Sequence, residues 1–140
     1  MSDFNWPVRV YFEDTDAGGI VYHARYLYFL ERARTEWLRE LGFNQSTLKQ
    51  QHVMFVVRDM NIKWQKPALL DEALNVSVAL VSAKKASLKM QQIISTNTEQ
   101  KVQADVTIAC IDAINKKPMA IPRAILDLIT SSIEQGAKCE

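Results

Sequence analysis

The hydrophobic pattern of this chain of 140 residues changes its period once, and that change limits the folds it can adopt. Over about residues 21–41, apolar side chains recur at intervals of three and four, which predicts one long helix that ends at Gly42. Beyond about His52 the pattern is that of strands, and a short amphipathic helix is predicted only after Pro122. A long helix followed by consecutive strands predicts an α+β fold with an antiparallel sheet.

Five segments have the alternation or the aromatic and β-branched composition of strands. No internal repeat or low-complexity linker separates them, so residues 1–140 are predicted to form one domain, with about residues 122–140 as its C-terminal helix and tail. The predicted strands are residues 6–12, 53–64, 74–81, 86–95 and 102–111.

The first two turns of the predicted helix, residues 22–30, have almost no polar side and should be enclosed. Farther along, Glu31 and Arg34 have the i,i+3 spacing of a structural ion pair. One sheet with one enclosed helix cannot cover both faces of the sheet, and the apolar run of residues 53–57 must also be covered. We therefore expect an oligomer, either a homodimer or a homotetramer.

Composition excludes several classes of function. Lys plus Arg exceed Asp plus Glu by one (17 − 16), so no net positive field attracts nucleic acid. No apolar run approaches the roughly 20 residues of a membrane helix, and the N-terminus does not resemble a secretory signal, which favours a cytoplasmic protein. Cys110 and Cys139 lie far apart, and neither they nor His23 and His52 have the spacing of metal ligands. We expect no disulfide, metal or cofactor.

Residues 13–23 are the most informative stretch of the chain, because they combine reactive side chains with a turn directly before the helix. Backbone amides at a helix N-terminus favour negative charge and can stabilise an oxyanion, while a carboxylate placed opposite can act as nucleophile or activate water. In the alternative interpretation the acidic residues cap the turn and the glycines only permit the bend. The residues concerned are Glu13, Asp14, Asp16, Gly18, Gly19 and His23.

A longer motif around this stretch favours the catalytic interpretation. Residues 9–26 read RVYFEDTDAGGIVYHARY. This run resembles the signature of the 4-hydroxybenzoyl-CoA thioesterase family of hotdog proteins, and most closely its YbgC-type acyl-CoA thioesterases, which are associated with the Tol–Pal system. The similarity continues through residues 29–36, 55–60, 67–68 and 117–118. It implies a hotdog fold, in which a curved antiparallel sheet wraps a long central helix, and hydrolysis of acyl-CoA, with short acyl chains as the expected substrates.

The resemblance also implies roles for individual residues. Asp16 corresponds to the family's catalytic aspartate, which acts as general base or as nucleophile. The backbone amide of His23 corresponds to the group that polarises the thioester carbonyl. The imidazole of His23 is implied to orient water or substrate. Phe12 stands where some relatives have tyrosine, so a hydroxyl implied to help in those proteins is absent here. The resemblance also implies that Gly18, Gly19 and Tyr22 form the turn and the surroundings of the oxyanion.

Four basic residues are candidates for binding the phosphates of CoA. Lys84, Lys85 and Lys89 form a basic turn and strand, although charged turns are commonly only solvated. Arg58 follows an apolar run and needs a partner, either in the sheet or subunit contact or in a phosphate.

Two other functions remain open at the level of sequence. Asp16 and His23 could move protons at carbon, as in a hotdog dehydratase or hydratase acting on an acyl thioester. A non-catalytic binder of acyl chains or of an acyl-carrier protein would need an apolar groove but no Asp16. Acyl-CoA hydrolysis, with an acyl-carrier protein as a further partner, is the interpretation that the motif favours.

Overall fold

The structure, a computed structural model, describes residues 4–139; the side chains of residue 45 and of residues 132–139 lie outside the description. Within that range the chain forms three helices and five strands, together with one 3-10 turn at Phe12–Asp14. In chain order the elements are β1 (Phe4–Arg9), α1 (Arg25–Glu40), α2 (Gln45–Gln50), β2 (Val53–Trp64), β3 (Ala73–Ala83), β4 (Ser87–Ser95), β5 (Gln100–Asp112) and α3 (Arg123–Cys139).

All five strands form a single sheet in the order β1-β3-β4-β5-β2, and every neighbouring pair is antiparallel. The α+β prediction is therefore confirmed, including the four consecutive strands after the long helix. The strands β1 and β2 lie at opposite edges of the sheet. The register of β2 shifts between Val57 and Asp59, near the middle of that strand, and the register of β3 shifts between Leu80 and Ser82, near its C-terminal end.

The core lies between α1 and one face of the sheet. Helix α1 contacts β3 and β1, and its buried residues recur at helical spacing because that stripe faces the sheet. On β4, Leu88 and Met90 are fully buried, whereas Lys89 between them is exposed, as expected when alternate side chains point to opposite faces. The buried residues of α1 are Tyr26, Phe29, Leu30, Ala33, Trp37 and Leu38.

The predicted helix start was wrong by four residues, because α1 begins at Arg25. Residues 15–21 instead form a short hairpin with a turn at residues 17–19, and β-bridges join Thr15 to Val21 and Ile20 to Leu69. The apolar residues at 20–22 continued the helical pattern in the sequence, but they pair with other backbone segments. The predicted first strand also ends early, at Arg9, and α2 was not predicted.

The enclosure predicted for the early turns of α1 holds for only part of that surface. Leu27 and Tyr28 remain 40% and 53% exposed within this chain. The predicted Glu31–Arg34 ion pair was also wrong: Arg34 donates a hydrogen bond to Oε1 of the buried Gln92 at 2.9 Å, and burial lowers the pKa of Arg34. Gln92 in turn donates to the carbonyl oxygen of Leu30, so this polar group joins α1 to β4.

Candidate active site

The acidic stretch folds into a short hairpin, residues 15–21, directly before α1. The amide of Asp16 donates to the carbonyl oxygen of Ile20 at 2.9 Å, and the amide of Gly19 donates to the carbonyl oxygen of Asp16 at 3.0 Å. Gly19 has φ +83°, a left-handed conformation that glycine adopts without steric cost. The two-glycine sequence therefore closes a tight turn that presents Asp16 at the tip of the hairpin.

The carboxylate of Asp16 is exposed and held in one orientation. Its Oδ1 accepts a hydrogen bond from the amide of Gly18 at 2.8 Å. A Cβ at Gly18 would lie 3.3 Å from that oxygen, so a larger residue would crowd the carboxylate. Oδ2 accepts no hydrogen bond from any described residue. The hydrogen bond to Oδ1 thus fixes the orientation of the side chain, while Oδ2 is free to react.

Asp14 has a different environment from Asp16, although the two are close in sequence. It is 4% exposed and accepts hydrogen bonds from the amide of Tyr11 at 2.8 Å and from Nε of Arg25 at 2.7 Å. Glu13 pairs with the same guanidinium at 2.9 Å. The hydrogen bond with Asp14 raises the pKa of Arg25. Asp14 therefore ties the turn to the first residue of α1 and acts as the structural carboxylate of this segment.

His23 lies two residues before α1, outside the helix. No described residue accepts a hydrogen bond from its backbone amide. Its exposed ring packs between Tyr22, at a centroid distance of 4.6 Å, and Trp64 at 6.1 Å. Nε1 of Trp64 also donates to the carbonyl oxygen of His23 at 3.3 Å. The end of β2 thus fixes the peptide that leads from His23 into the helix.

Trp64 was not identified as a site residue from the sequence. The alternation of Met60, Ile62 and Trp64 indicated that these side chains share one face of a strand, but gave no partner for Trp64. Its contact with His23 spans 41 residues of chain.

Asp16 and His23 lie on opposite arms of the same paired segment. Asp16 is bonded to Ile20, and His23 follows Ile20 by three residues, a distance of at most roughly 10 Å along extended backbone. Their side chains make no direct hydrogen bond. A carboxylate oxygen and a backbone amide that are both without a hydrogen-bond partner among the described residues are the kinds of group that addition to a carbonyl group uses.

The hairpin rests on residues 68 and 69, which lie in the connection between β2 and β3. The carbonyl oxygen of Ala68 accepts from the amide of Val21 at 2.9 Å, and Leu69 forms the β-bridge to Ile20. The amide of Ala68 donates to the hydroxyl of Tyr26 at 3.0 Å. Burial raises the pKa of Tyr26. Residues 68 and 69 therefore connect the hairpin to α1.

A groove of about 440 Å³ begins next to His23 and runs between α1 and β2. Its walls are mostly apolar, and the half-buried Arg34 with Glu31 lies toward its far end. The residues that line it are Ala24, Leu27, Tyr28, Glu31, Arg34, Val57 and Met60.

Three of the four predicted CoA-binding cations line a second pocket, of about 230 Å³. Arg58, Lys84 and Lys89 surround it together with three hydroxyl side chains, and none of the three forms an ion pair within residues 4–139. Lys85 is exposed and does not line the pocket. Because Lys89 alternates with the core-facing Leu88, the pocket opens on the sheet face opposite α1. The hydroxyl groups are those of Ser82, Ser87 and Thr107.

Among the described residues no group of three or more His, Cys, Asp and Glu side chains could hold a metal ion. Cys110 is buried, and burial raises the pKa of its thiol, which disfavours the nucleophilic thiolate. Within residues 4–139 no helix combines the length and the apolar character needed to cross a membrane.

Comparison with known proteins finds relatives of this chain among thioesterases. The model of the thioesterase-like superfamily matches residues 10–129. The chain is similar to the acyl-CoA thioesterase YbgC of Haemophilus influenzae, with 47% identity over 123 residues, 87% of this chain and 90% of the relative. It is also similar to the acyl-CoA thioester hydrolase YbgC of Escherichia coli O157:H7, with 45% identity over 124 residues, 88% of this chain and 92% of the relative.

Solved structures agree with the sequence comparison. The crystal structure of a probable thioesterase from Bartonella henselae superposes on this chain with a TM-score of 0.83 at 39% identity. The match covers 86% of this chain and 99% of that one. The DHNA-CoA thioesterase of Staphylococcus aureus has a TM-score of 0.91 at 19% identity, over 100% of this chain and 97% of that one, which shows the shared fold.

Proposed function

This chain belongs to the thioesterase-like superfamily, and from that membership we propose that it is an acyl-CoA thioesterase that hydrolyses short-chain acyl-CoA to the free acid and CoA. The observation that carries the proposal is the geometry of Asp16. One oxygen of its carboxylate is fixed by Gly18 and the other is free, on the hairpin that leads to the unpaired amide of His23. Hydrolysis of a thioester requires these two groups, one to deliver oxygen and one to stabilise the oxyanion.

In the proposed reaction the thioester carbonyl oxygen accepts a hydrogen bond from the His23 amide. As general base, Asp16 takes a proton from water as the water oxygen adds to the carbonyl carbon, and the tetrahedral intermediate then expels the CoA thiolate, which takes up a proton. As nucleophile, Asp16 forms an anhydride as the thiolate leaves, and water then hydrolyses the anhydride. Both routes give one acid and one CoA, and Gly18 and Gly19 serve both by holding the carboxylate.

The acyl group is proposed to lie in the groove between α1 and β2. Its apolar walls, including Leu27 and Met60, match an alkyl or aromatic acyl group, and the groove starts at Ala24, next to His23. The charged side chains of Glu31 and Arg34 lie at its far end, which disfavours long alkyl chains because their ends would contact the half-buried charge of Arg34.

The direct test is release of CoA thiol from a panel of acyl-CoA esters of graded chain length, with one aromatic ester included. We expect hydrolysis, with the highest kcat/KM on short chains. Enzyme without ester corrects for the thiols of Cys110 and Cys139. Hydration of an enoyl-CoA without thiol release would instead identify a hydratase, and tight binding of every ester without turnover would identify a binder; either result would contradict the proposal.

We also propose that the active form is a dimer formed along β2. Within the described residues β2 pairs on one side only, with β5, and its 12 residues contain no proline. The opposite edge, β1, is only six residues long and contains Pro7, which weakens it as a pairing surface. Exposed apolar residues flank the β2 edge: Leu27, Tyr28 and Val57. A second copy along β2 would cover them and close the groove.

Val57→Asp is expected to convert the dimer to a monomer, because it buries a charge at the proposed contact. Val81→Asp is the matched control, since Val81 is an exposed valine of the internal strand β3, 54% exposed against 46% for Val57. Light scattering after size-exclusion chromatography gives the masses. A wild-type monomer, or a Val57→Asp protein of unchanged mass, would contradict dimerisation along β2.

The phosphates of CoA are proposed to bind in the basic pocket of Arg58, Lys84 and Lys89. Three cations without ion-pair partners in the described chain, together with three hydroxyl groups, suit phosphate oxygens. The pocket and the hairpin lie on different faces of the sheet, so the proposal requires the extended CoA molecule to reach from one face to the other. Lys85, outside the pocket, has no assigned role.

Replacing Lys84 and Lys89 together by Ala is expected to raise KM for acyl-CoA about tenfold with little change in kcat, because uniform binding is lost. Lys49→Ala, an exposed lysine on α2, is the control. An acyl-pantetheine ester, which lacks the nucleotide, should be hydrolysed equally by wild type and the double variant. An unchanged KM for acyl-CoA would exclude the pocket from substrate binding.

Three wider assignments belong to the same proposal. The compartment is the cytoplasm, where acyl-CoA esters occur. An acyl-carrier protein is a further candidate donor of the acyl group, since its thioester has the same reacting atoms. Association with the Tol–Pal system rests on the resemblance of residues 9–26 alone.

A further inference from the structure

A buried ammonium group lies beneath the hairpin and takes no part in the proposed reaction. Lys101 is 3% exposed, and its Nζ lies 2.8 Å from Oε2 of Glu99 and 3.6 Å from Oε1 of Glu72. Burial disfavours the charged form, but the Glu99 hydrogen bond and the charges of both carboxylates outweigh it, so the pKa of Lys101 is raised. A buried cation is tolerated where such partners surround it, and this pair of carboxylates supplies them.

The partners of Lys101 fix both ends of residues 65–72, the connection between β2 and β3. At one end, the carbonyl oxygen of Lys101 accepts hydrogen bonds from the amides of Gln65 at 2.8 Å and Lys66 at 3.1 Å. At the other end, Oε1 of Glu72 accepts from the amide of Leu69 at 2.8 Å. The same Glu72 oxygen therefore faces the ammonium and holds Leu69.

Leu69 is the residue that supports the catalytic hairpin. It forms the β-bridge to Ile20, and the carbonyl oxygen of Ile20 accepts the amide hydrogen bond of Asp16. A continuous series of contacts thus runs from the ammonium of Lys101 through Glu72, Leu69 and Ile20 to the backbone of Asp16.

We propose that Lys101 is a positioning residue for Asp16: its buried ammonium holds Glu72, and through Leu69 and Ile20 it sets the position of the catalytic carboxylate. The inference rests on the proposed function, because it assigns Lys101 a role in the reaction of Asp16. Without the ammonium, Glu72 and Glu99 are like charges with no shared cation, and their repulsion releases the connection that supports the hairpin. Lys101 itself is too deeply buried to touch a substrate.

Kinetics of Lys101→Met, Lys101→Arg and Lys66→Met test the inference. A displaced catalytic group costs turnover rather than binding, so kcat of Lys101→Met is expected to fall about tenfold or more, with KM within about twofold of wild type. Lys101→Arg should recover most of the loss, because it restores the cation. Lys66 pairs with the same Glu99 at 3.4 Å but is exposed, so Lys66→Met should match wild type. A Lys101→Met protein as active as Lys66→Met would overturn the inference.

Hydrogen exchange gives a readout that does not depend on activity. Amides of Asp16, Val21 and Leu69 are expected to lose protection in Lys101→Met, while amides in α1 keep theirs. A uniform loss of protection throughout the chain would mean that Lys101 only stabilises the fold. Unchanged protection of the hairpin amides would mean that Lys101 does not hold the hairpin in place. Either result overturns the inference. Should Lys101→Met not fold, Glu72→Leu replaces it: it removes both the carboxylate that the ammonium holds and the acceptor for Leu69, and a fall in kcat of the same direction is expected.

The two proposals fail in different ways. Full turnover by Asp16→Asn would contradict the role of Asp16 whatever Lys101→Met does, and with it the role of Lys101. An inactive Asp16→Asn together with a fully active Lys101→Met would overturn the positioning role alone.

Discussion

Asp16→Asn is expected to lower kcat by about 10²- to 10⁴-fold, the usual contribution of a positioned general base or nucleophile. The amide cannot take a proton from water and cannot form the anhydride, so both routes are lost. Its side-chain oxygen can still accept the hydrogen bond from Gly18, which keeps the hairpin in place. The free energy of unfolding should therefore change by no more than about 0.5 kcal/mol.

The measurement is thiol release from the best ester of the panel, with thermal unfolding of each protein. Asp127→Asn is the matched control, because Asp127 is an exposed carboxylate on α3. If Asp16→Asn keeps the wild-type kcat, Asp16 is not the catalytic residue. If it loses activity only because it unfolds, the melting curve will reveal that.

Asp14→Ala is expected to have the opposite profile and to lower the free energy of unfolding by about 3 kcal/mol. The change removes the hydrogen bonds of a buried carboxylate to the amide of Tyr11 and to Nε of Arg25, and hydrogen bonds to charged groups contribute roughly 1.5–3 kcal/mol each. Arg25 keeps its exposed pair with Glu13, which offsets part of the loss.

Urea unfolding gives this free energy, and Asp14→Asn provides the graded comparison. Its amide oxygen can still accept from Tyr11 but no longer forms an ion pair with Arg25, so its stability should lie between wild type and Asp14→Ala. An Asp14→Ala protein with the wild-type urea midpoint would show that the buried pair contributes nothing to stability. Together, the Asp14 and Asp16 variants separate the structural carboxylate from the catalytic one.

The local sequence pattern could not make that separation, and only the resemblance to a known family assigned the catalytic role to Asp16. Asp14 and Asp16 lie two residues apart in the same turn, and either could cap or catalyse. The difference arises from Arg25, which lies 11 residues beyond Asp14 and meets it only because the chain folds back before α1. The strands, the long helix and the glycine turn were predictable, since each depends on local periodicity or on local backbone freedom.

The late start of α1 and the missed role of Trp64 share one physical origin, which is contact between distant segments. Ile20 and Val21 look helical in sequence, but they bond to Leu69 and Ala68, almost fifty residues away, and the helix begins later as a result. The contact of Trp64 with His23 and the burial of Lys101 are equally non-local. A lysine in a strand pattern is expected to face water, and only the folded sheet shows that Lys101 does not.

The strand order has a consequence for how this chain acquires its structure. The strands β1 and β2 flank α1 in sequence but lie at opposite edges of the sheet, and each pairs only with a strand made later, β3 and β5 respectively, within the described chain. During synthesis, the first 64 residues therefore emerge with a helix whose apolar stripe has no sheet to cover it. Two of the four strand pairings, β1 with β3 and β2 with β5, join segments far apart in sequence, which is typical of slow folding and of exposure to aggregation while the chain is incomplete. A ribosome-bound chain is expected to gain protease resistance only after β5, up to Asp112, has left the exit tunnel.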